Sequence, residues 1–468
     1  MADSRFAAYR YFIKKSWPFG LKATLFLLIV LMGLAVGHFL TPDNWEPEKK
    51  YALSLVLIAA LLWFTEAIPP FAVALLIIGT GVLALGSSRL AEHPVLYTKF
   101  TETLASSIIW LLLGGFFLAK GMQKAGLDLE VFRTSVKLFG KKPETALLGM
   151  MLTTWLASSV MSNTAATAMM LAAVLPMIRQ IGPTAPMSQA TLLGIPAAAT
   201  LGGLATIIGS PPNAVAVGFL ERSGVEVSFP AWMLYGTFPA LLLCVFAWLV
   251  LISVHKPKVK EVHIHIPSRK EVHIDISRFQ QNLVALGLLG TLGLWLTTPL
   301  HGLPVAATAF IPIVLFTVSG VINSDDFNAM PWDTLILVAG GLSLGVAMTE
   351  TGLVNEIAQA VQSISIAPIL MLIALCFLTV LLSNFMSNTA AATVVMPLAL
   401  EILPDQALMV GMGIGMSASF ALMLPVSTPP NAIAFGTGYL EQKAFRTLGL
   451  AIGVAGPIVA LVWLYFWT

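Results

Sequence analysis

Apolar residues run along this chain in long blocks, at 20–40, 50–66, 69–86, 104–122, 190–219, 230–254, 280–298, 303–320, 333–351, 408–437 and 447–467. A hydrocarbon core of about 30 Å needs roughly 20 helical residues to cross it, so each block predicts a spanning helix. Stretches such as 23–36 and 241–252 are apolar throughout, not alternating as the strands of a membrane barrel would be. Two further blocks, 145–178 and 366–400, carry a polar interruption at their centre and read as re-entrant hairpins. The pattern predicts an all-α polytopic membrane protein with eleven transmembrane helices and two hairpins. Arg5, Arg10, Lys14 and Lys15 precede the first block as in a signal peptide. That block is too long for one and no small-residue cleavage site follows, so it reads as the first crossing.

Composition agrees. Of 468 residues, 57% are hydrophobic and 10% charged, with a mean hydropathy of +0.87, which excludes a soluble fold. The formal charge of +2 gives no footprint for nucleic acid, because the basic residues lie between apolar segments and not along one face. Cys244 and Cys376 sit inside apolar blocks and read as buried thiols. With the N-terminus cytoplasmic, 20 of the 25 Lys and Arg fall in inner segments, as the positive-inside rule requires, and the C-terminus then lies outside. The predicted division is 1–49 with the first helix, a first repeat 50–254, a cytoplasmic linker 255–279 and a second repeat 280–468. The linker contains His263, His265, His273 and Asp275 in alternating positions. Alternation alone fixes no closed tetrahedral ligand set, so a charged linker is the simpler reading.

The division rests on a duplication. Met161-Ser162-Asn163-Thr164-Ala165-Ala166 recurs as Met386-Ser387-Asn388-Thr389-Ala390-Ala391, and Ser210-Pro211-Pro212-Asn213-Ala214 as Thr428-Pro429-Pro430-Asn431-Ala432. Gly114-Gly115 with Gly126-Leu127 matches Gly340-Gly341 with Gly352-Leu353. Three motifs repeated in the same order indicate two homologous halves. One half begins on a crossing that runs inward and the other on a crossing that runs outward, so the repeats are inverted. Secondary transporters use that arrangement to expose one central site to each side in turn.

Ser-Asn-Thr at a hairpin tip offers two hydroxyls, an amide and freed backbone groups. The oxygens can replace the water shell of a small cation, while N–H groups at the helix N-terminus can receive a carboxylate. The paired prolines break their helices, and non-helical backbone at membrane depth is tolerated only against protein or a polar cavity. Ser158, Ser159, Ser383 and Asn384, one turn before the tips, are weaker candidates. No Lys or Arg lies in either hairpin, so an anion there would depend on neutral donors, helix termini and co-bound cations. Glu66, beside Ile68-Pro69-Pro70, reads as a helix-boundary residue; the alternative is a proton-coupling carboxylate. Hydrolase, metalloprotease and phosphate-loop motifs are missing, so no enzyme is predicted.

The doubled Ser-Asn-Thr, each followed by a Pro-Pro-Asn break, resembles the divalent anion:sodium symporter family, which includes INDY-type dicarboxylate transporters. The resemblance covers residue 50 to the end. It implies a homodimer in the plasma membrane, that of a bacterial inner membrane, whose protomers each move a transport part against a scaffold as an elevator. It implies sodium ions and one dicarboxylate as cargo. One sodium would be held by Ser162 and Asn163 with backbone near Gly209, Ser210 and Pro211, another by Ser387 and Asn388 with backbone near Val426, Ser427 and Thr428. Asn163, Thr164, Asn388 and Thr389 would face the substrate. Intact threonines in both tips resemble the pattern for C4-dicarboxylates such as succinate, malate and fumarate, ahead of citrate or sulfate. Segments 127–143 and 353–365 would be surface-lying arms. An exchanger or proton-coupled carrier of the same fold, a passive anion channel and a non-transporting sensor are the alternatives.

Overall fold

The computed structural model describes residues 19–128, 130, 133, 139–140, 142–256, 261–262, 276–362 and 366–467, and their regular structure is helical. The chain runs through α1 (Phe19–Phe39), α2 (Pro47–Thr65), α3 (Pro70–Thr80), α4 (Ser107–Ala125), α5 (Pro143–Ser158), α6 (Asn163–Ile181), α7 (Pro186–Gly202), α8 (Pro211–Arg222) and α9 (Phe229–His255). It continues through α10 (Arg278–Leu296), α11 (Phe310–Val318), α12 (Trp332–Glu350), α13 (Leu353–Gln362), α14 (Pro368–Ser383), α15 (Asn388–Ile402), α16 (Ala407–Ser417), α17 (Pro429–Gly436) and α18 (Ala444–Tyr465). Proline opens α2, α3, α5, α7, α8, α14 and α17, where a missing N–H costs nothing because that group has no intrahelical partner.

Among the described residues, seven helices are long and apolar enough to cross a membrane, or eight if the bent pair at Asn388–Ile402 and Pro404–Phe420 is one span. Several shorter apolar helices accompany them, so the protein is an all-α polytopic membrane protein. The block 69–86 is α3 continued by a π-helical turn, Gly81–Leu85. Blocks 145–178 and 366–400 each form two helices that meet at a short bend and pack together, α5 with α6 and α14 with α15. Blocks 190–219 and 408–437 are interrupted helices, as their prolines predict. The histidine-containing stretch 263–275 and most of the arm 127–143 lie outside the described residues. The other arm is the helix α13, whose Leu353, Val354 and Ala358 are buried.

Two large apolar cores organise the packing, with a small third at the first hairpin bend formed by Met122, Ala157, Met161 and Ala166. One gathers α2, α3 and their neighbours, with Trp63, Ile77 and Phe100 fully buried. The larger one collects both hairpins and both broken helices, around Trp232, Phe420 and Phe316. Helix α12 joins them, giving Leu344 and Ala347 to the first core and Val338 and Leu342 to the second.

The repeated glycines explain themselves in this packing. A Cβ on Gly114 would meet Ala309 at 2.7 Å, and one on Gly340 would collide with Ala74, so in each case the glycine of one half admits a helix of the other half. Gly126 and Gly352 both follow a helix end at φ 68° and 69°, a left-handed conformation that glycine adopts without a Cβ penalty.

Several polar ties between distant segments join residues that the predicted topology puts at the same end. At the end predicted to be cytoplasmic, Lys120 and Lys124 of α4 meet Asp326, Trp248 Nε1 donates to Glu144 O, Gln280 Nε2 to Ser319 O and Gln189 Nε2 to Tyr439 O. At the other end, Lys49 pairs with Glu356, Lys99 with Glu350, Ser107 Oγ donates to Glu221, and Trp463 Nε1 to Leu234 O. Partial burial works to raise the Asp326 pKa, but the hydrogen bond from Lys124 and the nearby lysine charges outweigh it and hold the carboxyl below its usual range. Glu66 caps the end of α2 in a left-handed conformation with its side chain exposed, as a boundary residue would.

Candidate functional site

Each hairpin tip is an N-cap. Ser162 takes φ −63°, ψ 140° and its Oγ accepts from Ala165 N at 3.2 Å; Ser387 takes φ −62°, ψ 144° and accepts from Ala390 N at 3.2 Å. A Ser side chain satisfies one of the orphan donors of the first turn and leaves the others, with the positive end of the helix dipole, directed at the tip.

Helix α7 stops at a pair of glycines. A Cβ on Gly202 would collide with the Trp155 backbone, and one on Gly203 would run into the Asn163 amide and lie 2.9 Å from Gly209 O. Two 3₁₀ turns follow, Gly203–Ala205 and Ile207–Gly209, separated by Thr206 and ended by Ser210, both extended. Pro211 then opens α8. Asn213, fully buried on that helix, donates from Nδ2 to Gly203 O and Thr206 O, both at 2.8 Å, and so holds the two turns together. The second break repeats the device with a different backbone. After one 3₁₀ turn, Ala418–Phe420, the chain is irregular to Thr428, which caps α17, and Asn431 Nδ2 donates to Leu422 O at 3.1 Å and Leu424 O at 3.0 Å.

These breaks deliver carbonyl oxygens to the tips. Asn163 lies against Ser158 Oγ at 2.6 Å, Gly209 O at 3.1 Å and Ala199 O at 3.2 Å when its amide nitrogen is turned toward them as donor. Turned the other way, its carbonyl oxygen accepts from the Ser158 hydroxyl at 2.6 Å but faces the Ala199 and Gly209 carbonyls, contacts that are repulsive unless a cation lies among them. In the second half, Ser383 Oγ contacts Asn388 Oδ1 at 2.8 Å and donates to Ala418 O at 2.6 Å. Both arrangements combine a serine one turn before the tip, the tip asparagine and a carbonyl where the broken helix ends. With the tip asparagine's carbonyl turned inward, each cluster is an all-oxygen donor set, which suits a hard cation.

The structure therefore brings together Ser158, Asn163 and Gly209 in one half, and Ser383 and Asn388 in the other. Ser162 and Ser387 adjoin these sets with their hydroxyls engaged as caps. Ser159 Oγ turns back to Leu156 O. Ser210 Oγ lies 3.5 Å from Ser419 Oγ, which sets the two breaks side by side. Pro211 and Thr428 serve as helix starts, and Ser427 Oγ is engaged with Asn384. Val426 stands at the outer edge of the second break, its residue 78% exposed. Thr164 is exposed, whereas Thr389 is only 6% exposed. Sequence reasoning missed Ala199, Thr206, Ala418 and the stapling role of Asn213 and Asn431; the repetition of that asparagine after each Pro-Pro was the available signal. Among the described residues there is no cluster of three His, Cys, Asp or Glu that could hold a metal.

A helical membrane protein with two broken helices facing two capped tips belongs to the transporters, and comparison with known proteins specifies which. A match to the citrate transporter family spans residues 60–413, and the chain belongs to that family of transporters, related to the divalent anion:sodium symporters; it is not an enzyme. It is 29% identical to the sodium-dependent dicarboxylate transporter SdcS of Staphylococcus saprophyticus over 93% of this chain and 91% of that protein. It is likewise 29% identical to SdcS of Staphylococcus aureus, over 100% of this chain and 95% of that one. Among solved structures, the YdaH transporter of Alcanivorax borkumensis shares the fold with a TM-score of 0.53 at 14% identity, over 88% of this chain and 98% of that one. MtrF of Neisseria gonorrhoeae does so with a TM-score of 0.53 at 11% identity, over 97% and 96%.

Proposed function

We propose that the protein is a sodium-coupled symporter of C4-dicarboxylates such as succinate, malate and fumarate, working by alternating access. The observation that carries this reading is the pair of polar clusters, Ser158–Asn163–Gly209 and Ser383–Asn388–Ala418, each beside a capped helix N-terminus in segments free of charged residues; the first becomes an all-oxygen set when the Asn163 amide turns its carbonyl inward to a cation. Cations in those sets would offset the charge of a carboxylate held by the tips, Thr164 and Thr389 included, where a lone ion is expensive. The names of the SdcS relatives support both sodium and dicarboxylate.

The reading extends to architecture: eleven crossings, two re-entrant hairpins and two inverted repeats, 50–254 and 280–468, with 1–49 ahead of them and 255–279 a cytoplasmic linker. The ties named at the two ends support it, since each joins residues that this topology puts on one side of the membrane. Glu144 O and Gln189, flanking the first hairpin, both tie to the predicted cytoplasmic end. A homodimer in the plasma membrane, each protomer moving its hairpins and broken helices as an elevator, completes the proposal. The description of the matched family favours citrate as the second reading.

Radiolabelled succinate uptake into proteoliposomes, with an inward sodium gradient against equal potassium, tests it, with citrate in parallel. Sodium-dependent accumulation of succinate, reduced roughly a hundredfold or more in Asn163→Ala and in Asn388→Ala, is the expected result, each change removing contacts that together exceed about 2.7 kcal/mol. Equal flux in both salts would reject sodium coupling in favour of an exchanger or channel. Citrate uptake without succinate uptake would move the substrate to the second reading.

A further inference from the structure

Each hairpin bend is pinned to its broken helix by one buried side chain that stands outside the oxygen sets. In the first half, Thr206 Oγ1 donates to Ser159 O at 2.5 Å and accepts from Gly209 N at 3.1 Å, while Thr206 O accepts from Asn213. Ser159 directly follows Ser158, and Gly209 supplies a carbonyl to Asn163. One hydroxyl thus sets the distance between the two pieces of chain that form the first set. In the second half the polar side chain sits on the hairpin instead. Asn384 Nδ2 donates to Val380 O at 2.9 Å, and Oδ1 accepts from Met423 N at 3.0 Å and from Ser427 Oγ at 3.0 Å. Ser427 Oγ also accepts from Leu424 N at 3.1 Å. Asn384 adjoins Ser383 as Ser159 adjoins Ser158. All four clamp residues, Ser159, Thr206, Asn384 and Ser427, are buried, with residual exposures of 6%, 3%, 5% and 3%.

We propose that Thr206 and Asn384, the latter with Ser427, are positioning residues that hold the two cation sites preformed. This rests on the sodium-coupled reading above. An oxygen set assembled from two separate segments binds a small ion well only if the segments are already at the right spacing, because otherwise binding must supply the ordering free energy. The clamp side chains stand outside the oxygen sets, so their loss should act on the sodium concentration required and not on the rate at saturating sodium. The different placement of the polar side chain, on the broken helix in one half and on the hairpin in the other, solves one geometric need from two backbones. It also gives the Ser427 side chain a role separate from the backbone ligation expected of that stretch.

Thermal unfolding of the full-length purified protein, followed across a sodium titration at constant ionic strength with potassium, reads this directly, with sodium dependence of uptake as second readout. Thr206→Val keeps the shape and removes the hydroxyl; it should raise the half-maximal sodium concentration roughly three- to tenfold, the effect of losing one or two buried hydrogen bonds, with maximal uptake retained. Thr206→Ser, which restores the hydroxyl, should stay within about twofold of the natural protein by the same reasoning. Ser427→Ala should give a rise of roughly two- to fivefold, because Asn384 keeps two of its bonds. If Thr206→Val and Ser427→Ala unfold at lower temperature in potassium yet keep the natural sodium dependence, the clamps are structural and the proposal is overturned. If Thr206→Val yields no folded protein, Ser427→Ala decides by the same criterion. An absence of sodium stabilisation in the natural protein is a different outcome, which rejects the sodium reading and the clamp proposal with it.

Discussion

The two breaks share a motif but not an environment. Residues 201–210 are buried without exception, folded into two tight turns around Gly203. The corresponding stretch before Thr428 is looser, with Met423 and Leu424 half-buried and Val426 protruding. The tips differ in the opposite sense, Thr164 exposed and Thr389 covered. Between tip and Pro-Pro-Asn the second half is seven residues shorter because its helices are shorter, while its break, 418–428, is longer than 203–210 and holds one 3₁₀ turn where the first holds two. Two halves with the same chemistry are thus held in different local conformations. On the proposed mechanism, that inequality is what exchange between two pseudo-symmetric states requires.

The sharpest way to break the comparison is at Gly203, whose counterpart across the repeat is Ala421. A Cβ at 203 would displace the Asn163 amide, so Gly203→Ala should cost about 1–3 kcal/mol in thermal stability and remove most of the sodium response. Ala421→Gly should cost about 1 kcal/mol or less and leave the response in place. Equal effects on both sides would show that the first turn is not the tighter one. A smaller effect separates Val426 from its counterpart Ile208, which is 7% exposed. Val426→Cys should react with a water-soluble thiol reagent on the order of tenfold faster than Ile208→Cys, since access governs thiol reaction; comparable rates would mean that both breaks open in solution. The smallest effect is expected far from both. Asp326→Asn removes an interfacial ion pair worth about 1 kcal/mol or less and should leave the sodium titration unchanged. Because the folded pKa of Asp326 is depressed, its contribution is present above the ordinary carboxylate value and is lost as pH falls through the lower folded value. Thermal melts of the natural protein and Asp326→Asn should therefore converge in acid.

Much of this site was legible in the chain. Pro-Pro announced broken helices, a local effect of proline on the backbone, and the doubled Ser-Asn-Thr announced hairpin tips, whose serines the structure shows as N-caps. The partners of those groups were not legible. Ala199 and Thr206 meet the first tip only because the chain folds back from more than 30 residues away, and nothing in their own types marks them. Asn384 reads as a weaker candidate one turn before the tip, and its bonds to Met423 N and Ser427 Oγ depend on the irregular path of 421–428, which the sequence does not display. Gly114 and Gly340 signalled a repeat, but that each admits a helix from the opposite half depends on packing between segments distant in sequence.

The segments 145–178, 190–219, 366–400 and 408–437 contain no Asp, Glu, Lys or Arg at all. On the proposed mechanism this has an electrical consequence. An empty site built from neutral groups gives the transmembrane voltage nothing to pull on during the return stroke. A loaded site carries the charge of its sodium ions less that of the dicarboxylate, and a net unit crossing the whole field is worth about 2.3 kcal/mol per 100 mV. Voltage would then act on one stroke of the cycle alone, and the current would report the cargo's surplus charge without a contribution from the protein.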